Sequence, residues 1–261
     1  MFRKFPAVVL ALTISVAFVY ADIARAEVVK DGLVSYWTFD EGTVKGETLS
    51  DIHGSNDGTI SGDPEIVPGK IGEALKFDGD DYIDFGNDPS VILSDTDLSV
   101  ALWFNAETVG PGLSDNTGYL VGTYSSDNGK YYQLFVENGT IALSIDDNVT
   151  KTQINSPINA GEWYYVVGVR ESGKEIRIYL NGDLAISADD LTAGDIASDA
   201  PLYAGNRFAG ERAFKGLIDE VGIYSRALSA GDIQKNYSSD GFAIEPAGKL
   251  SGTWGEIKSS L

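Results

Sequence analysis

Phe214-Lys215-Gly216-Leu217-Ile218-Asp219-Glu220-Val221-Gly222-Ile223-Tyr224-Ser225-Arg226-Ala227-Leu228 is the stretch whose reading decides the fold. Its branched and aromatic residues are those of a β-strand. Two neighbouring carboxylates, Asp219 and Glu220, stand in its middle. Successive side chains on a regular strand point to opposite faces. The pair is therefore expected to be split across the sheet, and it cannot form a catalytic dyad unless a bulge intervenes. Ser229-Ala230-Gly231-Asp232-Ile233-Gln234 follows at once, a short polar turn in which Ser229 suits a helix N-cap.

Upstream of this strand the chain reads as further strands. Leu33 to Phe39 alternates apolar and smaller residues, as a half-buried strand does. Leu98 to Phe104 puts Val100, Leu102 and Phe104 on one face. Glu73 to Phe85 reads as two strands around an acidic glycine turn. A two-residue turn at Asn138-Gly139 would pair Val136 with Ile141, Leu134 with Leu143 and Tyr132 with Ile145. The opposite face then carries Glu137 with Thr140 and Gln133 with Ser144, and a one-residue slip would scramble both faces. A second hairpin at Ser172-Gly173 is expected to pair Val169 with Ile176, Val167 with Ile178, Tyr165 with Leu180 and Arg170 with Glu175. Asn181-Gly182 turns next, into Leu184-Ala185-Ile186. A meander with one apolar face needs a second sheet to pack against. No long amphipathic helix breaks the pattern, so the expected class is an all-β, two-sheet antiparallel sandwich with one short C-terminal helix.

The closing stretch resembles the Gly-x-Ile-Asp-Glu-Val-x-Ile-Tyr-x-Arg-Ala-Leu-Ser signature of bacterial LamG-like (concanavalin A-like lectin/glucanase) jelly-roll domains. The resemblance runs from about Leu33 to Tyr237. It implies a jelly-roll binding module that recognises carbohydrate or extracellular matrix polymer or protein. The domain expected on this basis spans 27–238, followed by a linker and tail over 239–261 with an isolated Trp254.

Residues 1–26 read as a secretory signal peptide. Arg3 and Lys4 precede an apolar run from Ala7 to Tyr20, and Ala24-Arg25-Ala26 offers a small-x-small cleavage site. The apolar run falls short of the ~18–20 residues of a spanning helix, so no stable membrane insertion is expected. The destination is secreted, cell-surface or periplasmic. The formal net charge of -20, from 39 acidic against 19 basic residues, excludes the basic footprint that nucleic acid requires. It admits neutral or cationic ligands and divalent cations.

An enzyme is not expected. A single histidine and no cysteine remove two-histidine and thiol mechanisms, and no Gly-x-Ser-x-Gly elbow is present. The Glu-x-Asp-x-x-Glu strand of sandwich-fold glycoside hydrolases is also missing. Oxygen-rich segments point instead to a metal, because calcium takes carboxylate, amide and backbone oxygens. Asp51-Ile52-His53-Gly54-Ser55-Asn56-Asp57-Gly58 is similar to the family's Asp-x-Ser-Gly-Asn-x-Asn-x-Gly loop, departing from it at His53 and Ser55. The resemblance implies a structural calcium beside this loop. On that reading Asp51 and Asn56 supply side-chain oxygens, His53 a backbone carbonyl and Asp219 a second carboxylate. The alternative is that Asp51 and Asn56 cap turns and Asp219 faces solvent. The acidic turn from Asp78 to Asp84 is the rival site. Tyr119, Tyr124, Tyr131, Tyr164, Asn128 and Arg207 are the candidates for sugar contact, and Tyr131 and Phe135 fall on the polar face of their hairpin. Three functions follow from these features: a glycan-binding module, a structural or adhesive envelope protein without a sugar site, and a polysaccharide-active enzyme.

Overall fold

Asn138 and Gly139 both take positive φ, 47° and 82°, as a two-residue hairpin turn whose twist matches its strands requires. They join β10 (Lys130–Glu137) to β11 (Thr140–Asp147), and the expected register holds throughout, with Val136 against Ile141 and Tyr132 against Ile145. The computed structural model describes residues 27–94, 96–192, 194–207 and 211–241. The signal segment and the tail from 242 onward, Trp254 included, lie outside the described residues.

Two antiparallel sheets face one another. The front sheet runs β12 (Lys151–Pro157), β11, β10, β9 (Thr117–Thr123), β16 (Leu202–Ala204), β7 (Tyr82–Asp84), β4 (Gly58–Ser61), β3 (Thr48–Leu49) and β2 (Val44–Lys45). The back sheet runs β15 (Asp183–Asp189), β14 (Glu175–Leu180), β13 (Trp163–Glu171), β8 (Leu98–Ala106), β17 (Gly216–Tyr224), β6 (Glu73–Phe77) and β5 (Glu65–Pro68). β1 (Leu33–Trp37) also pairs with β17. The closing strand is therefore central. It runs beside β8 on one edge, and on the other it pairs first with β6 through Ile218 and then with β1 from Val221.

The main core lies between the sheets, where Trp37, Phe77, Phe104, Leu143, Val166 and Ile218 are wholly buried. Each such side chain is worth about 1.5–3 kcal/mol of hydrophobic stabilisation. The outer face of the back sheet carries a second apolar layer, including Tyr36, Trp103, Tyr165, Val167, Val169 and Tyr224. It is covered by the segment at Val28 and by α2 (Ala230–Tyr237), the longer helix after the short α1 (Pro89–Ile92), and Ile233 of α2 joins the layer. Ser229 caps α2 as expected: its Oγ accepts from Asp232 N at 3.2 Å, and its own N–H donates back to the Asp232 carboxylate at 3.1 Å.

Two expected pairings are corrected. The second hairpin turns over three residues, with Lys174 N donating to Glu171 O and Gly173 at φ 65°. The register therefore shifts by one, pairing Arg170 with Ile176 and Val169 with Arg177. Val167 and Val169 face the outer layer instead of sharing a face with Ile176 and Ile178, and Arg170 does not meet Glu175. Arg170 is fully buried, donating to Asp190 at 2.8 Å, Thr192 at 3.1 Å and the Thr96 carbonyl at 3.3 Å. The two strands expected around the acidic turn of 73–85 are present, but they do not pair with each other. β6 belongs to the back sheet and β7 to the front, so the acidic turn carries the chain from one sheet to the other. Asp81 holds that crossing by accepting from Asp63 N and Asp78 N.

Candidate functional site

Two places in the fold concentrate polar groups that local structure does not explain. The first is at the changeover on β17. Going from Asp219 to Gly222 the strand advances three residues while β8 advances two, from Trp103 to Ala101. The extra residue is Glu220, at φ 55°. This bulge overturns the expected splitting of the two carboxylates. Ile218, Val221 and Ile223 still enter the main core, which leaves Asp219 on the outer side. Glu220 reaches Tyr36 of the outer layer, whose hydroxyl donates to its carboxylate.

Asp219 is wholly buried. Its Oδ2 accepts from Lys70 N at 2.9 Å and Ile71 N at 3.0 Å, while its Oδ1 has no partner. Burial pushes its carboxyl up to about 8 against the pull of the Ile71 and Lys70 N–H groups, and Asp40 nearby adds to the rise. Asp40 is half-buried and is itself raised, first by burial and also by repulsion from Glu73. Asp219 is thus a buried carboxyl that keeps one oxygen without a hydrogen-bond partner.

Asp51 has the opposite surroundings. Its Oδ1 accepts from the backbone N–H groups of Tyr36 (3.0 Å), His53 (3.0 Å) and Gly54 (2.8 Å), and its Oδ2 from Asn56 N at 3.0 Å. Burial raises its carboxyl, but these four donors outweigh burial and hold it below the usual carboxylate range. A carboxylate wrapped in N–H groups already has the positive partners a cation would supply. The loop closes around it. Asn56 Nδ2 donates to Ser35 Oγ at 2.8 Å, Asn56 O accepts from Trp37 Nε1 at 2.9 Å, and His53 Nε2 lies 3.1 Å from Leu33 O. Of the four residues expected around one metal, Asp51, His53 and Asn56 are together, while Asp219 shares no hydrogen-bond partner with them. Asp40, just after the first strand, was not singled out in the sequence; its carboxylate accepts from Glu73 N at 2.8 Å.

The second place is a groove of about 470 Å³ on the outer face of the front sheet. β10 supplies Tyr131, Gln133, Phe135 and Glu137, β11 supplies Asp146, and β12 supplies Lys151 and Gln153. Alternation explains this set, because Tyr132, Leu134 and Val136 turn into the core. Tyr124 packs on Tyr131 with ring centroids 5.6 Å apart, and the Arg207 guanidinium lies 3.7 Å above the Tyr124 ring. Glu137 accepts from Gln153 at 2.6 Å and Asn155 at 2.9 Å. Three atoms in or beneath the groove are buried without a hydrogen-bond partner: Gln133 Oε1, Tyr119 Oη and Arg207 Nε.

Of the expected sugar-contact residues, Tyr124, Tyr131 and Arg207 therefore converge, with Tyr119 beneath them. Phe135 lines the same groove from the polar face. Tyr164 is elsewhere, stacked on Phe104 and hydrogen-bonded to Glu162, and Asn128 is used in a turn, accepting from Lys130 N. Gln133 and Arg212 were not singled out, and only the alternation of β10 marked the first. The rival acidic cluster Asp63, Asp80 and Asp81 is present, but both oxygens of its buried member, Asp81, are occupied by backbone N–H groups.

The sequence profile described as concanavalin A-like lectin/glucanases superfamily (Laminin_G_3) matches residues 77–234. No curated protein sequence matches the chain. Among solved structures, the binding domain of Paraclostridial Mosquitocidal Protein 1 is similar at TM-score 0.65 and 17% identity, covering 79% of this chain and 52% of that one. Domain 4 of AbnA, a GH43 extracellular arabinanase from Geobacillus stearothermophilus solved with arabinotriose, is similar at TM-score 0.62 and 22% identity, covering 78% and 98%. The botulinum neurotoxin serotype G binding domain is similar at TM-score 0.63 and 15% identity, covering 78% and 50%. The chain thus spans about half the length of the two toxin domains and nearly all of the arabinanase domain. At these identities the likeness is one of fold.

Proposed function

This chain is a member of the concanavalin A-like lectin/glucanases superfamily, and we propose that it is an exported, calcium-stabilised binding module whose front-sheet groove takes carbohydrate. The observation that carries the reading is the pair of buried, partnerless polar atoms on groove-lining residues, Gln133 Oε1 and Arg207 Nε. Leaving such groups unsatisfied costs about 1–3 kcal/mol each, and a polyhydroxylated ligand would satisfy them while a sugar ring covers Tyr124 and Tyr131. The arabinanase domain solved with arabinotriose supports a saccharide ligand by analogy of fold. The toxin domains, one of them titled the receptor binding domain of botulinum neurotoxin D, keep a receptor as the second reading.

Calcium, on this proposal, is held by Asp219 with Asp40, and Asp51 organises its own loop instead. The ion would supply positive charge to two carboxylates that otherwise repel, fixing β17 to the loop at Lys70 and Ile71. No catalytic role is assigned to Asp219 or Glu220. The test is a screen of glycans and matrix polymers against the full chain, in calcium and in chelator, with Gln133→Ala and Tyr131→Ala beside the natural protein. Silence across the screen, or binding that ignores both substitutions, refutes the groove as the site.

A further inference from the structure

We propose that the front-sheet groove selects saccharides bearing a carboxylate, that is uronate-containing glycans, and that Arg207 is the residue that reads the charge. This rests on the groove being the carbohydrate site and adds the chemical class of the sugar. In a chain of net charge -20, the groove is lined by three cationic side chains, Lys151, Arg207 and Arg212, against two acidic ones, Glu137 and Asp146. The acidic pair is partly engaged already. Glu137 accepts from Gln153 and Asn155, and Asp146 accepts from Asn148 N at 2.8 Å.

Arg207 is the cation of the three with a buried, partnerless nitrogen. Its side chain is only 12% exposed, and its described ion-pair partner, Glu211, is a rim residue 64% exposed at 3.4 Å. Its Nε is buried without a partner. Tyr124 occupies one face of the guanidinium, which holds the plane still and leaves its edge for a planar acceptor. A guanidinium edge matches a carboxylate in bidentate fashion. The unpartnered hydroxyl of Tyr119 is close enough for Arg207 to act on it electrostatically, and Gln133 adds an acceptor for a sugar hydroxyl. A neutral sugar hydroxyl could accept from Arg207 Nε alone, whereas only a carboxylate engages two N–H groups of the guanidinium edge at once.

The experiment measures binding of the full chain by affinity electrophoresis and calorimetry to polygalacturonate, alginate and hyaluronate. Each is run beside its carboxyl-reduced, neutral form, with arabinan as a neutral probe and dextran sulfate against dextran as a sulfate probe. At least one uronate polymer is expected to bind at least about tenfold more tightly than its reduced form, with the preference weakening as salt rises. Arg207→Gln is expected to bring the affinities for the uronate polymer and its reduced form to within about twofold of each other, and Arg207→Lys to keep only part of the preference. Equal binding to uronate and reduced polymers, or a preference for dextran sulfate alone, overturns the carboxylate assignment but keeps the saccharide groove. No binding to any of these polymers overturns both. The reduced polymers decide the matter even if an Arg207 variant fails to fold.

Discussion

Replacing Asp219 by asparagine tests how the buried acidic centre works. In the folded protein Asp219 holds its proton up to a pH of about 8, whereas an unfolded aspartate releases it near pH ~4. Between those values the folded state binds more protons than the unfolded one, so stability falls as pH rises. The slope for one such group is about 1.4 kcal/mol per pH unit. From pH 5 to 7.5 the metal-free protein therefore loses up to about 3 kcal/mol through this residue, equivalent to roughly 6–12 °C in Tm for a domain of this size. The substituted amide cannot ionise, yet its oxygen can still accept from Lys70 and Ile71. Melts in chelator across this range should show the natural protein declining more steeply than Asp219→Asn, with the two converging at low pH. Calcium should reverse the order at pH 7.5. An ion at about a hundredfold its Kd stabilises the natural protein by about 2.7 kcal/mol and gives Asp219→Asn far less. Parallel pH slopes, or equal stabilisation of both proteins by calcium, refute the reasoning.

Asp51→Ala should cost at least about 2 kcal/mol, because four backbone N–H groups lose their acceptor; denaturant melts should show this loss with the calcium response intact, and a lost response would return Asp51 to the metal. Arg170→Met should cost about 3–5 kcal/mol by leaving Asp190 buried without its cation, and adding Asp190→Leu should recover a large part; a double variant no better than the single contradicts the pairing. Ser229→Ala should cost about 1 kcal/mol through loss of the capping box, read as a shift in denaturant midpoint at constant slope.

Much of the fold could be read because short-range chemistry dictates it. Asn138-Gly139 permits the positive φ of a two-residue turn, and that turn leaves one register in which Val136, Leu134 and Tyr132 all face inward. Ser172-Gly173 carries no such constraint. With Lys174 drawn into the loop the register moves by one, and because both faces of β13 are covered, apolar residues fit either way. The misassigned Arg170 follows from this. Its partners Thr96, Asp190 and Thr192 come from distant loops, which alternation along a strand cannot reveal. The groove was legible in part for the same reason: Tyr131 and Phe135 follow from the alternation of β10, while Arg207 joins them only through a loop contact with Tyr124.

Two aspartates show where reading residue types stops. Asp51 and Asp219 both stand in motifs that suggest calcium, and both are carboxylates drawn out of water. What separates them is the backbone around each. The turn from His53 to Asn56 aims three N–H groups inward and Tyr36 of β1 adds a fourth, so the charge of Asp51 is stabilised by backbone donors alone. On β17 the neighbouring strand changes from β6 to β1, and the bulge at Glu220 leaves a gap that two N–H groups of the Lys70–Ile71 turn reach. The same residue type is thus a charged anchor for a loop in one place and a buried carboxyl that keeps its proton in the other. The deciding quantity is the number of donors each backbone presents: residues close in sequence supply them to Asp51, while those of Asp219 come from a turn 148–149 positions away.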